Sequence, residues 1–282
     1  MKIGIVGANS SIAQAIIPRL KEQSEIVLIG RTNADIIMDL NSDIISLPKD
    51  IQVIIHTAAD FGGTSFKDTC DAINVNILGT LKLFEAAVIS GVKQFIYISS
   101  IYSHLKSDSY QYSIYSITKR SSEDILKLYA INKGIKLVIL RPSQIYGSIS
   151  NRIHQPFFYT IIDKIQQDEK IVFYGSKDPI RNFIHIEDLS NIIYYSLQNE
   201  IEGDYDCAFP ENTSFLAIAN AAKLAFKSNS EIVFDDKYED QADINIEFET
   251  SLYKNIDYHP KISINRGMRM LAECFNKREI NE

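Results

Sequence analysis

Short apolar runs alternate with longer amphipathic stretches along the first half of the chain, and this alternation constrains the fold more than any other feature. The apolar runs are Lys2–Val6, Ile26–Ile29, Ile36–Met38, Val53–His56, Phe95–Ile98 and Leu137–Leu140. Parallel strands buried on both faces are apolar along their length, whereas half-exposed strands alternate apolar and polar residues. The alternation therefore predicts an α/β fold with a doubly wound parallel sheet.

A turn of small residues follows the first apolar run and opens a helical stretch. In a Rossmann-type domain the pyrophosphate of a dinucleotide lies at this point, on the N–H groups of the positive helix end. A full fingerprint has glycine where Ser10 and Ala13 stand, although small side chains still permit close approach. Taken alone, the turn is equally consistent with an ordinary strand–helix connection. Its candidate cofactor contacts are Gly7, Asn9, Ser10, Ser11 and Ile12.

The second residue after the second apolar run bears on the choice of cofactor. An acidic residue at this edge would bind the adenosine ribose and select NAD(H), whereas an arginine pairs with the 2′-phosphate of NADP(H). Arg31 stands there. We therefore favour NADP(H), with NAD(H) as the alternative and a solvent-facing role for Arg31 left open. Asp39 and Leu40 follow the third run as candidate adenine contacts, and for Asp39 a capping or solvent-facing role is an equal alternative.

Tyrosine followed four residues later by lysine occurs three times, as Tyr102/Lys106, Tyr115/Lys119 and Tyr129/Lys133. The spacing alone selects none of these pairs in a chain with 15 tyrosines. Only the second pair begins a predicted helix soon after a strand, at the sheet edge where α/β proteins place their ligands. That strand ends Ile98-Ser99-Ser100. We therefore single out Ser100, Tyr115 and Lys119.

These three side chains form a set that can move a proton during hydride transfer. A free phenol has a pKa of about 10 and is a poor base at neutral pH. A nearby ammonium and a positive nicotinamide ring favour the phenolate, so we expect them to lower the pKa of Tyr115. Tyr115 would then act as general acid or base, Lys119 would also hold the nicotinamide ribose, and Ser100 would hydrogen-bond the substrate oxygen.

Composition argues against several other classes of protein. The net charge of -7 and the lack of a basic patch argue against nucleic-acid binding. We see no apolar run near the roughly 20 residues needed to span a bilayer, and no signal-peptide pattern at the first residues. Three widely spaced cysteines suit a reducing cytoplasm, and scattered histidines predict no metal site.

Five further segments, in order, resemble the extended short-chain dehydrogenase/reductases, in particular the NAD(P)-dependent nucleotide-sugar epimerase/dehydratase family. The segments are Ile54–Ala59, Asn76–Thr80, Tyr115–Lys119 with Glu123 following, Arg141–Gly147 and Arg181–Asp188. Each is weak alone, but their order along nearly the whole chain is specific. The resemblance implies a soluble enzyme that acts on a small nucleotide-linked sugar and pairs as a homodimer through helices of its first domain.

The resemblance also implies further site residues. Besides the residues above, those beside the cofactor are Thr57, Ala58, Ala59, Asn76, Pro142 and Ser143. Those that would contact substrate are Ser100, Ile101, Tyr115, Gln144 and Arg181, with Arg181 on the phosphates of the sugar nucleotide. Gln144 stands where many members have asparagine, which is a departure from the pattern.

A second departure narrows the chemistry. Dehydratases of this family carry Asp-Glu directly after the catalytic serine or threonine, as an acid–base pair that eliminates water. Ile101 and Tyr102 occupy those positions. An apolar side chain cannot transfer a proton, so we expect no 4,6-dehydratase activity.

The strand–helix pattern loosens after Gly147, which predicts a second lobe. We expect a dinucleotide-binding Rossmann domain at 1–147, to which 182–207 returns. Residues 148–181 and 208–282 would form a smaller α/β substrate-binding lobe.

Three functions are compatible with these residues. The first is an NADP(H)-dependent reductase of a keto group on a nucleotide-linked sugar, and the second is an epimerase that keeps its NAD tightly bound. The third is an NADP-binding regulator without catalysis, which the degenerate glycine turn favours and the intact Ser100, Tyr115 and Lys119 oppose.

Overall fold

The computed structural model describes residues 1–148 and 155–279. Its strands are β1 Lys2–Val6, β2 Glu25–Gly30, β3 Ile36–Ile37, β4 Val53–His56, β5 Gln94–Ile98, β6 Lys136–Pro142, β7 Gln144–Tyr146, β8 Ile171–Tyr174, β9 Ile180–Arg181, β10 Phe183–His185, β11 Gly203–Cys207, β12 Thr213–Ser214 and β13 Ile232–Asp235. Its α-helices are α1 Ser11–Leu20, α2 Phe66–Ala72, α3 Thr80–Ser90, α4 Ile114–Ala130, α5 Pro156–Gln166, α6 Ile186–Gln198, α7 Phe215–Phe226, α8 Ser251–Ile256 and α9 Ile264–Glu279. A π-helical segment, Ile73–Gly79, joins α2 to α3, and a 3₁₀ segment, Ile101–His104, follows β5.

Seven parallel strands form the central sheet in the order β11-β6-β5-β4-β1-β2-β3. β1 lies between β2 and β4, with Ile5 paired to Leu28 on one side and to Ile55 on the other. The chain thus runs from β1 to one edge of the sheet and from β4 to the other. A doubly wound sheet binds ligands where the strand order reverses, beyond the carboxyl ends of the strands. The predicted Rossmann-type α/β fold is confirmed.

The chain divides into two compact units, and the first contains the central sheet. Unit 1 comprises 1–142, 190–207 and 250–258. Its core cluster brings sheet residues such as Ile54, Phe95 and Tyr97 against Phe84 of α3 and Leu126 of α4. The apolar runs noted in the sequence are buried because helices cover both faces of a parallel sheet.

Unit 1 ends with a segment that comes late in the chain. Tyr258, just after α8, stacks on Tyr195 of α6 with ring centroids 5.3 Å apart. Its hydroxyl accepts a hydrogen bond from Asn191 at 3.0 Å, and Arg19 of α1 donates to both Asn191 and Tyr195. Residues 250–258 thereby become part of the first unit through packing that a linear reading of the sequence does not reveal.

Unit 2 comprises 143–189, 208–249 and 259–282. Its strand pairs are β7 with β10 and β8 with β13, both parallel, and β9 with β12, antiparallel. Aromatic side chains dominate its core, among them Tyr146, Phe158, Phe173, Phe183 and Phe215. The predicted boundaries assigned 143–147 and 182–189 to the first domain and 250–258 to the second, and the structure groups all three segments the other way. That unit 1 binds the dinucleotide and unit 2 the substrate stays a prediction.

One helical stretch changes an expectation from the sequence. Phe66–Ser90, which spans α2, the π-helical segment and α3, contains an 18-residue window with a mean hydropathy of 1.4 and is long and apolar enough to cross a membrane by length and composition. We expected no such stretch. Its polar residues are spaced so that Leu83, Phe84 and Ala87 enter the core cluster of unit 1, which is the behaviour of an amphipathic core helix.

Some elements escaped the sequence pattern. β7, β9, β11 and β12 were not predicted. Proline inside a helix usually ends or kinks it, yet α1 continues through Pro18 to Leu20. β11 reads Gly203-Asp204-Tyr205-Asp206-Cys207 and lacks an apolar run because it is an edge strand, paired only with β6.

Candidate active site

The turn after β1 is shaped so that only glycine fits at Gly7. Its φ is +95°, and a Cβ there would lie 2.6 Å from the backbone nitrogen of Ala58 and 2.7 Å from Oγ1 of Thr57. The backbone of the turn therefore approaches the end of β4 closely. This close approach leaves no side chain between the turn and the sheet edge, which is the geometry that a bound pyrophosphate requires.

At one of the two missing glycines, Ser10 adds a hydroxyl group to the turn. Ser10 caps α1 by accepting from the N–H of Ala13 at 3.1 Å, and its Oγ lies 2.8 Å from Oγ1 of Thr57. Thr57 also donates to the carbonyl of Val6 at 3.0 Å. Ser11 and Ile12 form the first turn of α1, whose N–H groups a helix does not satisfy internally. The turn thus fits a dinucleotide pyrophosphate despite its degenerate sequence.

The segment that follows β2, next to the dinucleotide turn, is exposed to solvent. Arg31 is exposed directly after β2, and Asn9 donates to the carbonyl of Thr32 at 3.0 Å, which joins the turn to that segment. Asp39 is exposed, the solvent-facing role left open by the sequence, and it accepts from the N–H of Asn41 at 2.9 Å in a turn. Leu40 is buried against Gly79.

Tyr115 and Ser100 lie together at the carboxyl edge of β5. Tyr115 is the second residue of α4, which begins with a capping box between Ser113 and Ser116. Burial raises the pKa of the Tyr115 phenol above its ordinary value, and a hydrogen bond with Ser100 opposes this shift. We expected this pKa to be lowered. Among the chain's own groups desolvation outweighs every interaction that favours the phenolate.

The segment that carries Ser100 is tied to the helix that carries Tyr115. Ser100 caps the 3₁₀ segment by accepting from the N–H of Tyr102 at 3.2 Å. Arg120 of α4 donates to the carbonyls of Ser103 and Leu105, at 2.6 and 2.5 Å. These bonds fix the position of the serine hydroxyl relative to the phenol.

Lys119 is almost completely buried behind Tyr115. Its Nζ donates to the carbonyl of Ile98 at 2.8 Å and lies 5.8 Å from the centre of the Tyr115 ring. Burial lowers the pKa of Lys119 to about 7, against the opposing charge of Glu123. The ammonium is therefore easily deprotonated near neutral pH, which suits a group that exchanges a proton with its surroundings.

A buried ion pair supports the lysine from the next turn of the helix. Glu123 accepts from Nε of Arg141 at 2.8 Å and from the hydroxyl of Ser99. Arg141 also pairs with Asp204 and Asp206 of β11, the latter at 3.2 Å. The network joins α4, β5, β6 and β11. From the sequence, Glu123 and Arg141 were recognised only as members of family-like motifs, and neither was assigned a role.

Asn76 links three elements through its side chain. Its Oδ1 accepts from the N–H of Asp60 at 2.8 Å, and its Nδ2 donates to the carbonyl of Asp60 at 2.7 Å and to Oγ1 of Thr118 at 2.9 Å. The loop after β4 is thus fixed to α4. Asn76 lies within the π-helical segment, an irregularity common at functional sites. Its expected support of the active site has a structural basis, whereas direct contact with a cofactor stays a prediction.

Comparison with known proteins agrees with this geometry. The model of the NAD-dependent epimerase/dehydratase family matches residues 3–208. The chain belongs to this family. Among its relatives, a putative UDP-glucose 4-epimerase from Methanocaldococcus jannaschii is 24% identical over 79% of this chain and 77% of its own length.

Two solved structures show the same fold. One is the UDP-glucuronic acid 4-epimerase of Bacillus cereus in complex with UDP-glucuronic acid and NAD, at a TM-score of 0.82, 22% identity and coverage of 99% of this chain and 100% of that one. The other is RMD from Pseudomonas aeruginosa complexed with NADPH, at 0.79, 17%, 98% and 99%. The chain is thus a member of an NAD-dependent enzyme family, and its reaction and cofactor preference are proposals.

The family-like residues around β7 and β9 belong to unit 2, except Pro142 at the end of β6. Ser143 is buried, and its hydroxyl has no hydrogen-bond partner among the described residues, as expected of a group that contacts a ligand. Gln144 begins β7, next to Phe183 of β10. Cofactor or substrate contact by these residues stays a prediction.

Arg181 is less accessible than its predicted role suggests. It is 2% exposed, its guanidinium lies 5.3 Å from the centre of the Phe215 ring, and its Nη1 donates to the carbonyls of Ile180 and Ala242, each at 2.7 Å. A phosphate contact by Arg181 therefore stays a prediction.

Phe61 belongs to this site but was not singled out from the sequence. It lies in the loop after β4 and stacks on Tyr115, with centroids 4.7 Å apart and planes 12° apart. An aromatic residue two positions after the Ile54–Ala59 segment was the available signal. Within the described residues no group of three or more histidine, cysteine, aspartate or glutamate side chains could hold a metal ion.

Proposed function

We propose that the protein is an NADP(H)-dependent reductase of a keto group on a nucleotide-linked sugar. The observation that carries the proposal is the assembly of Ser100, Tyr115 and Lys119 at one sheet edge, with apolar Ile101 where a dehydratase has an acid. Ile101 is 5% exposed, so little water reaches the position at which a dehydratase has its acid. This set of side chains can supply a proton to a carbonyl oxygen but cannot expel water.

The roles of the three side chains follow from their surroundings. The Tyr115 hydroxyl donates its proton to the carbonyl oxygen as that oxygen becomes an alcohol, and Ser100 holds the same oxygen by a hydrogen bond. Lys119, with a pKa of about 7, returns a proton to the Tyr115 oxygen and would hold the nicotinamide ribose. When bound, the reduced nicotinamide supplies the hydride that the carbonyl carbon accepts. The raised pKa of Tyr115 suits this direction because the phenol is protonated at neutral pH.

The decisive experiment measures loss of NADPH absorbance with a panel of keto-sugar nucleotides. Mass spectrometry of ligands retained by the freshly purified protein would choose the panel. Tyr115→Phe should lower kcat by about 10²- to 10⁴-fold, the usual contribution of a general acid, with the fold unchanged. The matched control is Tyr110→Phe, which alters an 84% exposed tyrosine nearby and should retain full activity. Activity of Tyr115→Phe at the wild-type level would refute the mechanism.

Exposed Arg31 supports the NADP(H) half of the proposal, because its guanidinium is available to pair with a 2′-phosphate. Arg31→Ala should weaken NADPH binding by about tenfold and leave NADH binding nearly unchanged. Lys49→Ala removes an exposed cation elsewhere and should change neither. Titration calorimetry measures both affinities. Tighter binding of NADH than of NADPH by the wild type would overturn the cofactor assignment.

An epimerase is the second candidate, favoured by the names of the Methanocaldococcus jannaschii relative and the Bacillus cereus enzyme. It would use the same three side chains to oxidise and re-reduce one sugar carbon. Nicotinamide retained through purification, together with conversion of a nucleotide sugar without net change in NADPH absorbance, would establish it and exclude the reductase.

The regulator without catalysis is a third candidate, opposed by the buried Lys119 and its supporting Glu123–Arg141 pair. Burying an ionisable group is costly, and a binding module has no chemical need for it. Tight NADPH binding without turnover of any nucleotide sugar by the wild type would favour this candidate.

A further inference from the structure

Phe61 covers one face of the Tyr115 ring in a nearly parallel stack. The centroids are 4.7 Å apart and the planes differ by 12°. Phe61 itself remains 47% exposed. A large apolar side chain that is half exposed on a loop adds little to the core, so its contribution to folding is small. Its stacked contact is with the ring of Tyr115, the proposed general acid.

The loop that carries Phe61 is fixed on both sides of it. On one side, both polar groups of the Asn76 side chain bond the backbone of Asp60. On the other, the carboxylate of Asp60 accepts from the N–H of Gly62 at 2.7 Å. Gly62 has a φ of +67°, and a Cβ there would lie 2.3 Å from Cγ2 of Ile114. The stack is therefore set by the backbone.

The same frame fixes Tyr115. Ile114, which lies against Gly62, is the first residue of α4 and the neighbour of Tyr115. Asn76 also bonds Thr118, one turn further along α4. The loop and the helix are thus held at a constant separation. The rings of Phe61 and Tyr115, which they carry, therefore keep the same relative position.

We propose that Phe61 is a positioning residue, which holds the plane of the Tyr115 ring and excludes water from one face of it. Offset stacking of two rings contributes about 0.5–1.5 kcal/mol beyond area burial, enough to restrict rotation of a partly exposed ring. Excluding water from the ring face contributes to the desolvation that keeps the phenol protonated. The proposal deepens the proposed function, on which it rests for the role of Tyr115.

The test measures Tyr115 directly and needs neither cofactor nor substrate. The protein is labelled with ¹³C in the tyrosine rings, and the signals of Tyr115 are assigned by their absence from Tyr115→Phe. Titration of the Cζ signal gives the ionisation midpoint, and the Cδ and Cε signals give the rate of ring flipping. In Phe61→Ala the midpoint should fall by about one pH unit. Ring flipping should accelerate by about tenfold, as expected from loss of the stacking energy.

Two variants serve as matched controls. Phe61→Tyr keeps an aromatic ring and should leave the midpoint and the flip rate near wild type. Phe66→Ala removes an 86% exposed phenylalanine five residues further on and should change neither. If the wild-type midpoint lies above the pH range in which the protein stays folded, the flip rates decide the test. Unchanged flipping in Phe61→Ala, or equal acceleration in Phe66→Ala, would overturn the proposal.

Kinetics then connect the ring to the reaction. Phe61→Ala should lower kcat by about tenfold with KM changed much less, because a misplaced acid weakens the chemical step more than binding. The pH dependence of kcat should shift in the same direction as the Tyr115 midpoint. A wild type inactive on nucleotide sugars would refute the proposed function and leave the spectroscopic result intact. An active wild type, together with an unchanged flip rate of the Tyr115 ring in Phe61→Ala, would refute the positioning role alone.

Discussion

His56 is fully buried at the end of β4, where its Nε2 lies 2.9 Å from Oγ1 of Thr80. Burial, with a smaller effect from the charge of Lys119, lowers the pKa of His56 to about 3. In the unfolded chain this pKa is 6.5. The unfolded state therefore binds a proton that the folded state does not, and stability is lost as pH falls from 6.5 toward 3.

We predict that His56→Gln reduces the loss of folding stability as the pH falls from 7 to 4. Each pKa unit corresponds to ~1.4 kcal/mol, so between pH 7 and pH 4 the wild type should lose about 3 kcal/mol through this group. Urea denaturation midpoints at several pH values measure the effect. The control is His259→Gln at an exposed histidine, which should keep the wild-type slope. Parallel slopes for wild type and His56→Gln would contradict the prediction.

Gly7→Ala should destabilise the protein and weaken nucleotide binding. The added Cβ would contact the backbone of Ala58, and the φ of +95° is itself unfavourable for alanine. Gly91→Ala is a matched control, because Gly91 has a φ of +79° and open space around its Cα. We expect a loss of about 1 kcal/mol for the control and about 3 kcal/mol for Gly7→Ala. Thermal unfolding and NADPH titration measure the two effects, and equal losses would contradict the steric argument.

Sequence patterns identified the reacting residues but not their electrostatics. Tyr115 and Lys119 were separated from two pairs of the same spacing by the strand before them and the helix they begin, and the structure places them as expected. Among the chain's own groups burial raises the pKa of Tyr115, and burial depends on distant parts of the chain that residue spacing does not reveal. The expected lowering of this pKa included the charge of a bound nicotinamide and stays a prediction. Phe61 was not singled out because its stacking also depends on the tertiary structure.

At the scale of elements, the π-helical segment Ile73–Gly79 organises the site. Asn76→Ala removes three hydrogen bonds that join the loop after β4 to α4. It should cost about 3 kcal/mol of stability and lower kcat, because both Asp60 and Thr118 lose a partner. Asn74→Ala, at an exposed position of the same segment, is the control. Urea denaturation and steady-state kinetics measure the outcome, and similar behaviour of the two variants would argue against this role.

The strands were predicted more closely than the irregular helices. β1 and β4 have the predicted bounds because apolar runs and parallel burial coincide. The motif Asn76–Thr80 was identified, but its π geometry was not predicted, since no periodic signal in the sequence distinguishes a π-helix from an α-helix. α1 extends beyond Pro18 to Leu20, although proline at that position removes one backbone hydrogen bond of the helix.

At the scale of the whole molecule, the homodimer implied by the family resemblance stays a prediction. Exposed apolar side chains lie on the elements that the resemblance implicates, among them Leu78, Ile117 and Leu128. Replacing Leu78 and Leu128 with lysine should convert a dimer to monomers, because charge in an apolar interface is not compensated. Leu224→Lys alters an equally exposed leucine of α7 and should not. Sedimentation velocity measures the outcome, and a monomeric wild type would refute the dimer.

The doubly wound parallel sheet was predictable from the alternation of apolar runs and helical stretches. The grouping of the late segments was not. Residues 250–258 join the first unit through side chains of Asn191, Tyr195 and Tyr258, whose spacing carries no periodic signal.

The late segment of unit 1 also affects how the protein is made. The seven sheet strands are complete once residue 207 has been synthesised, yet the unit still lacks 250–258. During translation, a nascent chain therefore exposes the aromatic surface of Tyr195 until residues 250–258 have left the ribosome. Chains that terminate prematurely before Tyr258 should consequently be retained by chaperones and degraded, even though every residue of the proposed catalytic set has already emerged.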